Sequence, residues 1–222
     1  LYDVATTEHL NDATALDITI QIANALAVAH DQNVVHRDLK PQNVMVVNLP
    51  NGEKLVKVLD FGMAKRLQGP DDSAIMQLTR EGVAVGTPRY IAPEQARGKD
   101  VGPWSDLYAL GLLMYEVFTG ERAVKADTIE SAIIAHVSPE PLELAEIESV
   151  PNYVRPVLFK LIEKKVKRRY QSAHEVLKDL NRLVVMSHAM EAAPTLPVGS
   201  AALEIDENAL RPKRPTGKVQ SI

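Results

Sequence analysis

No cysteine occurs among the 222 residues, which excludes disulfides and thiolate metal sites. A reducing compartment fits that absence, and the cytoplasm is the expected location. The chain has no initiator Met, and Leu1-Tyr2-Asp3-Val4 carries no basic-then-apolar signal pattern. Leu1 is therefore expected to be a cut point inside a longer parent, with room for a membrane anchor elsewhere in it. No stretch approaches the ~20 apolar residues of a membrane span. Surplus basic charge is also missing. Lys and Arg number 25 against 29 Asp and Glu, so the net charge of −4 gives no global attraction to nucleic acid.

What is present is ordinary for one globular domain, with 45% hydrophobic and 24% charged residues. Leu16, Ile20, Ala23 and Ala27, with a second set at Ile18, Ile22, Ala25 and Ala29, predict a helix buried on most sides. Thr14 three residues before Asp17 is a candidate capping box. Two β-branched runs, Val44–Val47 and Leu55–Leu59, flank Asn48-Leu49-Pro50-Asn51-Gly52-Glu53 and predict a short hairpin. Gln68 to Arg89 lacks periodicity and reads as a long functional surface loop. Asp106 to Thr119 is apolar nearly all round and predicts a central helix, with Gly120 as its stop. Further helices are expected over 128–136, 154–164 and 172–186, the last opened by the capping box Ser172-Ala173-His174-Glu175. The pattern fades after about Met190, where Pro194, Pro197, Pro212 and Pro215 predict a flexible tail. The expected division is a domain over 1–188 and a tail or linker over 189–222.

The chemistry concentrates in His36-Arg37-Asp38-Leu39-Lys40-Pro41-Gln42-Asn43 and in Asp60-Phe61-Gly62. Phosphoryl transfer asks a protein for positioning, for metal ions against phosphate charge, and for an acceptor of the attacking hydroxyl's proton. Asp38 and Asn43 put an acid and a neutral oxygen ligand on one loop. Lys40 is a mobile point charge within reach of a phosphate. Asp60 supplies the hard carboxylate oxygen that Mg²⁺ prefers. Alone, Asp-Phe-Gly is a turn with a capping Asp, and His-Arg-Asp is a solvated surface run. In this order, with a hairpin between them, the two motifs resemble the eukaryotic-type (Hanks-type) serine/threonine protein kinase family.

Three more stretches extend the resemblance. Gly86-Thr87-Pro88-Arg89-Tyr90-Ile91-Ala92-Pro93-Glu94 resembles the end of the family's activation loop, and Gly82 to Gln95 is closest to bacterial members. Trp104-Ser105-Asp106-Leu107-Tyr108-Ala109-Leu110-Gly111 resembles the start of its central helix. Arg168-Arg169-Tyr170-Gln171-Ser172 resembles the stretch that supplies an arginine to the signature glutamate, although the usual preceding proline is missing. The similarity spans roughly residues 1 to 186.

The resemblance implies a mainly α fold, the helical C-terminal lobe with a short β-hairpin, and the cofactors ATP and Mg²⁺. Asp38 would be the catalytic base and Lys40 the γ-phosphate contact. Asn43 and Asp60 would hold Mg²⁺, with Lys40, Asn43, Met45 and Asp60 around ATP and Met45 as the floor under adenine. Arg37 would receive a phosphate on the activation loop, with Thr79 the candidate phosphosite and Thr87 a substrate-docking residue. His36, Glu94, Asp106 and Arg169 are read as structural: His36 packed, Asp106 capping the catalytic loop, Glu94 paired with Arg169. The other histidines (His9, His30, His136, His174, His188) show no metal-ligand spacing. Partners are then protein substrates and ATP, with no nucleic acid.

The family's glycine-rich loop and the lysine that grips the α/β-phosphates belong upstream of Leu1, and no Gly-x-Gly-x-x-Gly occurs in the sequence. Two readings follow. The chain is the catalytic lobe of a serine/threonine kinase, with negligible activity expected of the piece alone. Alternatively it is a non-catalytic scaffold or docking module whose exposed hinge face serves a partner.

Overall fold

The computed structural model describes residues 1–7, 10–61 and 88–192. Helix α1 spans Tyr2–Thr7 and α2 spans Asp12–Asp31. The cap of α2 is Asn11, whose side chain accepts from Thr14 N–H at 2.8 Å. Thr14 thus lies inside the first turn instead of capping it, because the extended conformation a cap requires falls at Asn11 (φ −73°, ψ 161°). At the other end the chain leaves through left-handed Asn33 (φ 58°), with Val34 N–H bonded back to Ala29 O at 2.9 Å.

The expected hairpin forms from β1 (Val44–Asn48) and β2 (Lys54–Val58), antiparallel with Val44 opposite Val58 and Asn48 opposite Lys54. Gly52 turns the tip at φ +85°. Gln21 of α2 seats the hairpin, giving its amide N–H to Lys54 O (2.8 Å) and accepting Val56 N–H (2.9 Å).

Helix α3 (Pro93–Ala96) is a single turn that the hydrophobic pattern did not signal. Helix α4 (Pro103–Thr119) is the centre of the molecule. Its Leu107, Tyr108, Leu110, Leu113 and Tyr115 are fully buried, together with Leu16, Ile18, Ile22 and Leu26 of α2. Gly120 ends it at φ +72°, donating to Glu116 O at 2.8 Å. Helix α5 (Ile129–Val137) starts on the cap Thr128, which accepts from Ser131 N–H at 3.1 Å. Two cations reach its last carbonyls: Lys164 Nζ donates to Ala135 O (2.6 Å) and Ser138 O (3.1 Å), and Arg97 donates to Val137 O.

Helix α6 covers Arg155–Leu161, shorter than the expected 154–164. Lys164 carries helical composition but is turned away to serve α5, so propensity yields to a tertiary contact. Helix α7 (Ala173–Ala192) continues past 186 and packs along α2. Ser172 accepts from Glu175 N–H at 3.2 Å, but Glu175 reaches Gln171 N–H (3.1 Å) instead of completing the box on Ser172. The fold is thus mainly helical with one small antiparallel sheet. The expected tail lies outside the described residues from 193 onward, as do Gly62, Thr79 and Thr87.

Candidate active site

The loop between α2 and β1 is hung on one carboxylate of the central helix. Asp106 is 1% exposed, and its Oδ1 accepts Arg37 N–H at 2.8 Å. Its Oδ2 accepts His36 N–H at 2.8 Å and faces His30 Nε2 at 2.8 Å. Three donors on one buried carboxylate anchor the loop firmly. His30, the last-turn residue of α2, is the partner that spacing did not reveal: 76 positions separate it from Asp106.

His36 is fully buried. Its Nε2 donates to Leu59 O at 2.8 Å, while its Nδ1 accepts from Asp38 N–H at 3.3 Å. A carbonyl only accepts and an amide N–H only donates, so these partners fix the tautomer with the proton on Nε2. Phe61 meets its ring edge-on, centroids 4.9 Å apart. Leu59 N–H in turn donates to Asn43 O at 2.8 Å. Both polar atoms of Leu59 are thus spent on the loop, and Asp60 is the next residue along the chain.

Above this scaffold the polar side chains converge. Lys40 Nζ lies 2.6 Å from Asp38 Oδ2, and both groups are partly open to solvent. Asn43 Nδ2 donates to Asp38 O at 2.7 Å and reaches Asp38 Oδ2 at 3.3 Å. With its nitrogen engaged, Asn43 is left with Oδ1 as a ligand atom. Asp60 is exposed, at φ +60°. An amide oxygen and a carboxylate make a hard, anionic donor set that suits Mg²⁺. Met45 is 48% exposed on β1 and lines a cavity of about 410 Å³ with Leu1, Pro41, Gln42, Val44 and Leu59.

The segment around Tyr90 is fastened to α4 and to the stretch between α4 and α5. Tyr90 Oη donates to Glu116, and burial with this negative neighbour pushes its hydroxyl well above the usual tyrosine range. Burial raises the Glu116 carboxyl as well. Arg89 donates to Ala126 O. Glu94 and Arg169 form a two-pronged ion pair, Nη1 to Oε1 at 2.8 Å and Nη2 to Oε2 at 3.2 Å, to which Ser105 Oγ adds a bond at 2.7 Å. Arg37 is half-buried at φ +68°.

Residues 2–180 match the protein kinase domain family. The chain belongs to that family. Relatives include the serine/threonine-protein kinase pkn2 of Myxococcus xanthus, 37% identical over 179 residues, covering 79% of this chain and 21% of that protein. Another is serine/threonine-protein kinase PknB of Mycobacterium tuberculosis, 34% identical over 185 residues, covering 82% of this chain and 28% of that protein. The solved kinase domain of Mycobacterium tuberculosis PknI shares the fold, with a TM-score of 0.54 and 25% identity over 78% of this chain and 56% of its own. The family branch is thus the bacterial-like, eukaryotic-type one. The chain spans about a fifth of the length of the first of these relatives and about a quarter of the second. Among the described residues no helix is long and apolar enough to cross a membrane.

Proposed function

We propose that this chain carries the catalytic centre of a kinase that transfers the γ-phosphoryl group of ATP to serine and threonine hydroxyls of proteins. The supporting observation is the cluster in which Lys40 and Asn43 both reach Asp38, within 2.6 and 3.3 Å of the same carboxylate oxygen. Asp38 accepts the attacking hydroxyl's proton. Lys40, held beside it, moves onto the transferring phosphate as charge develops there. Asn43 Oδ1 and Asp60 hold Mg²⁺, which neutralises phosphate charge when bound. Met45 and its cavity take the adenine. Arg37 receives a phosphate from Thr79, and Thr87 docks the substrate hydroxyl.

The sequence contains no glycine-rich phosphate loop, so negligible turnover is expected of this chain by itself. The cytoplasm, where ATP is abundant, is the assigned location. The test is Asp38→Asn in the complete protein. It should abolish phosphoryl transfer while nucleotide affinity changes little, and retained turnover would refute the assigned base.

A further inference from the structure

Arg37 has both polar atoms of its main chain committed to other elements. Its N–H goes to Asp106 on α4, and its carbonyl accepts from Gln95 Nε2 at 2.7 Å. The residue stands at φ +68°, a left-handed conformation unfavourable for a non-glycine residue, which persists because its surroundings impose it. Gln95 uses its other amide atom as well, Oε1 accepting Ala92 N–H at 3.0 Å at the start of α3. The neighbouring Glu94 locks α3 to Arg169. One side chain therefore spans from a helix bolted to the core to the residue just before Asp38.

We propose that Gln95 is a positioning residue, a strut that ties the setting of Asp38 to the seating of segment 88–96. The inference rests on the kinase reading above for its catalytic consequence, but the strut itself is a matter of two hydrogen bonds. A primary amide offers a donor and an acceptor at fixed separation, which no carboxylate does while ionised. Glutamate at 95 could still accept from Ala92 N–H. Its second oxygen would face the Arg37 carbonyl, acceptor against acceptor, until a proton restored the donor. Gln95 touches none of the reacting groups, so its influence runs entirely through the main chain at Arg37.

The test compares the complete wild-type protein with Gln95→Leu and the isosteric Gln95→Glu. In Gln95→Leu, kcat should fall about tenfold or more, since small displacements of a reacting group carry penalties of that size, with KM for ATP little changed. In Gln95→Glu, activity relative to wild type at the same pH should recover as pH drops from about 8 to about 5, where a carboxyl takes up its proton. The ionisable groups on the neighbouring elements (Arg37, Asp38, Glu94, Asp106 and Arg169) are common to all variants and cancel in that ratio. Amide hydrogen exchange supplies an arm independent of activity. Ala92 should lose protection in Gln95→Leu and keep it in Gln95→Glu, while Asp38, whose N–H shares a peptide unit with the Arg37 carbonyl, exchanges faster in both at neutral pH. Unchanged Asp38 exchange, or a Gln95→Glu ratio flat with pH, would overturn the strut. A wild-type protein that transfers no phosphate would sink the kinase reading instead, with the exchange arm still deciding the strut. Should Gln95→Leu fail to fold, the isosteric Gln95→Glu carries the test by itself.

Discussion

Glu94 and Arg169, 75 positions apart, meet at 2.8 Å with both side chains withdrawn from water. The guanidinium also donates to Trp104 O (2.7 Å) and Glu163 O (2.9 Å) and lies over the Tyr108 ring, 4.8 Å from its centroid. Removing one partner strands a buried charge. Arg169→Ala and Glu94→Ala should each cost about 3–5 kcal/mol in urea unfolding. Arg169→Lys should recover little of the loss, because a point charge cannot replace a planar fork with four acceptors arranged around it.

The sign of the pH dependence follows from His136. This residue of α5 is fully buried, with Nδ1 2.8 Å from Tyr108 Oη. Among the described residues its Nε2 has no hydrogen-bond partner of good geometry, with backbone groups of Arg89 and Pro88 close by. Burial pushes it down to about 4 from an ordinary 6.5. As pH falls the unfolded chain takes this proton first. Stability is full above about pH 6.5 and is lost toward about pH 4, by on the order of 3 kcal/mol. Glu116 acts in the opposite sense, since burial raises its carboxyl and protonation there relieves the fold. Denaturant titrations across this range should show a slope that His136→Gln flattens. An equal slope in the variant would assign the acid sensitivity to other groups.

Gly111 offers a test in which two effects oppose each other. A Cβ there would sit 2.7 Å from Leu161 Cβ and 2.7 Å from Ile162 Cγ2, at the crossing of α4 and α6. Helix propensity alone would make Gly111→Ala stabilising by about 1 kcal/mol. Overpacking against a stem carbon, which cannot swing aside, costs about 1–3 kcal/mol. The expected outcome is a net loss of up to about 2 kcal/mol, and a rise in Tm would show that α6 can shift outward at little cost.

Asn43→Ala should act in two ways. Losing the bond to Asp38 O should lower stability by about 1 kcal/mol without metal. Losing Oδ1 should raise the Mg²⁺ needed for nucleotide binding by about tenfold or more, as read by calorimetry of the complete protein. An unchanged Mg²⁺ requirement would remove Asn43 from the ligand set.

Much of this architecture was legible because it is local. The hairpin, the stop at Gly120 and the central helix all follow from patterns within a few residues. The cap of α2 was misassigned to Thr14 because Asn11 and Thr14 are both competent and only the backbone decides between them. Partnerships across the fold were out of reach without a motif behind them. Glu94 with Arg169 could be named from a family signature, but His30 with Asp106, Gln95 with Arg37 and Lys164 with α5 are read from space alone. The end of α6 was overextended for the same reason.

The hairpin register has a consequence for how this chain can change. Pairing begins at Val44 and Val58, so the end of the ladder beside Asn43 and Asp60 is the one tied to the loop, where Leu59 N–H bonds Asn43 O. Everything beyond Asn48 and Lys54 hangs outward, with Leu49 N–H bonded to Glu53 O at 2.8 Å and open space around Gly52. Length can therefore enter at Pro50-Asn51 without altering the spacing of the chemistry below. The tip is the natural port for a label, a tether or an inserted domain, and for evolutionary growth of the same kind.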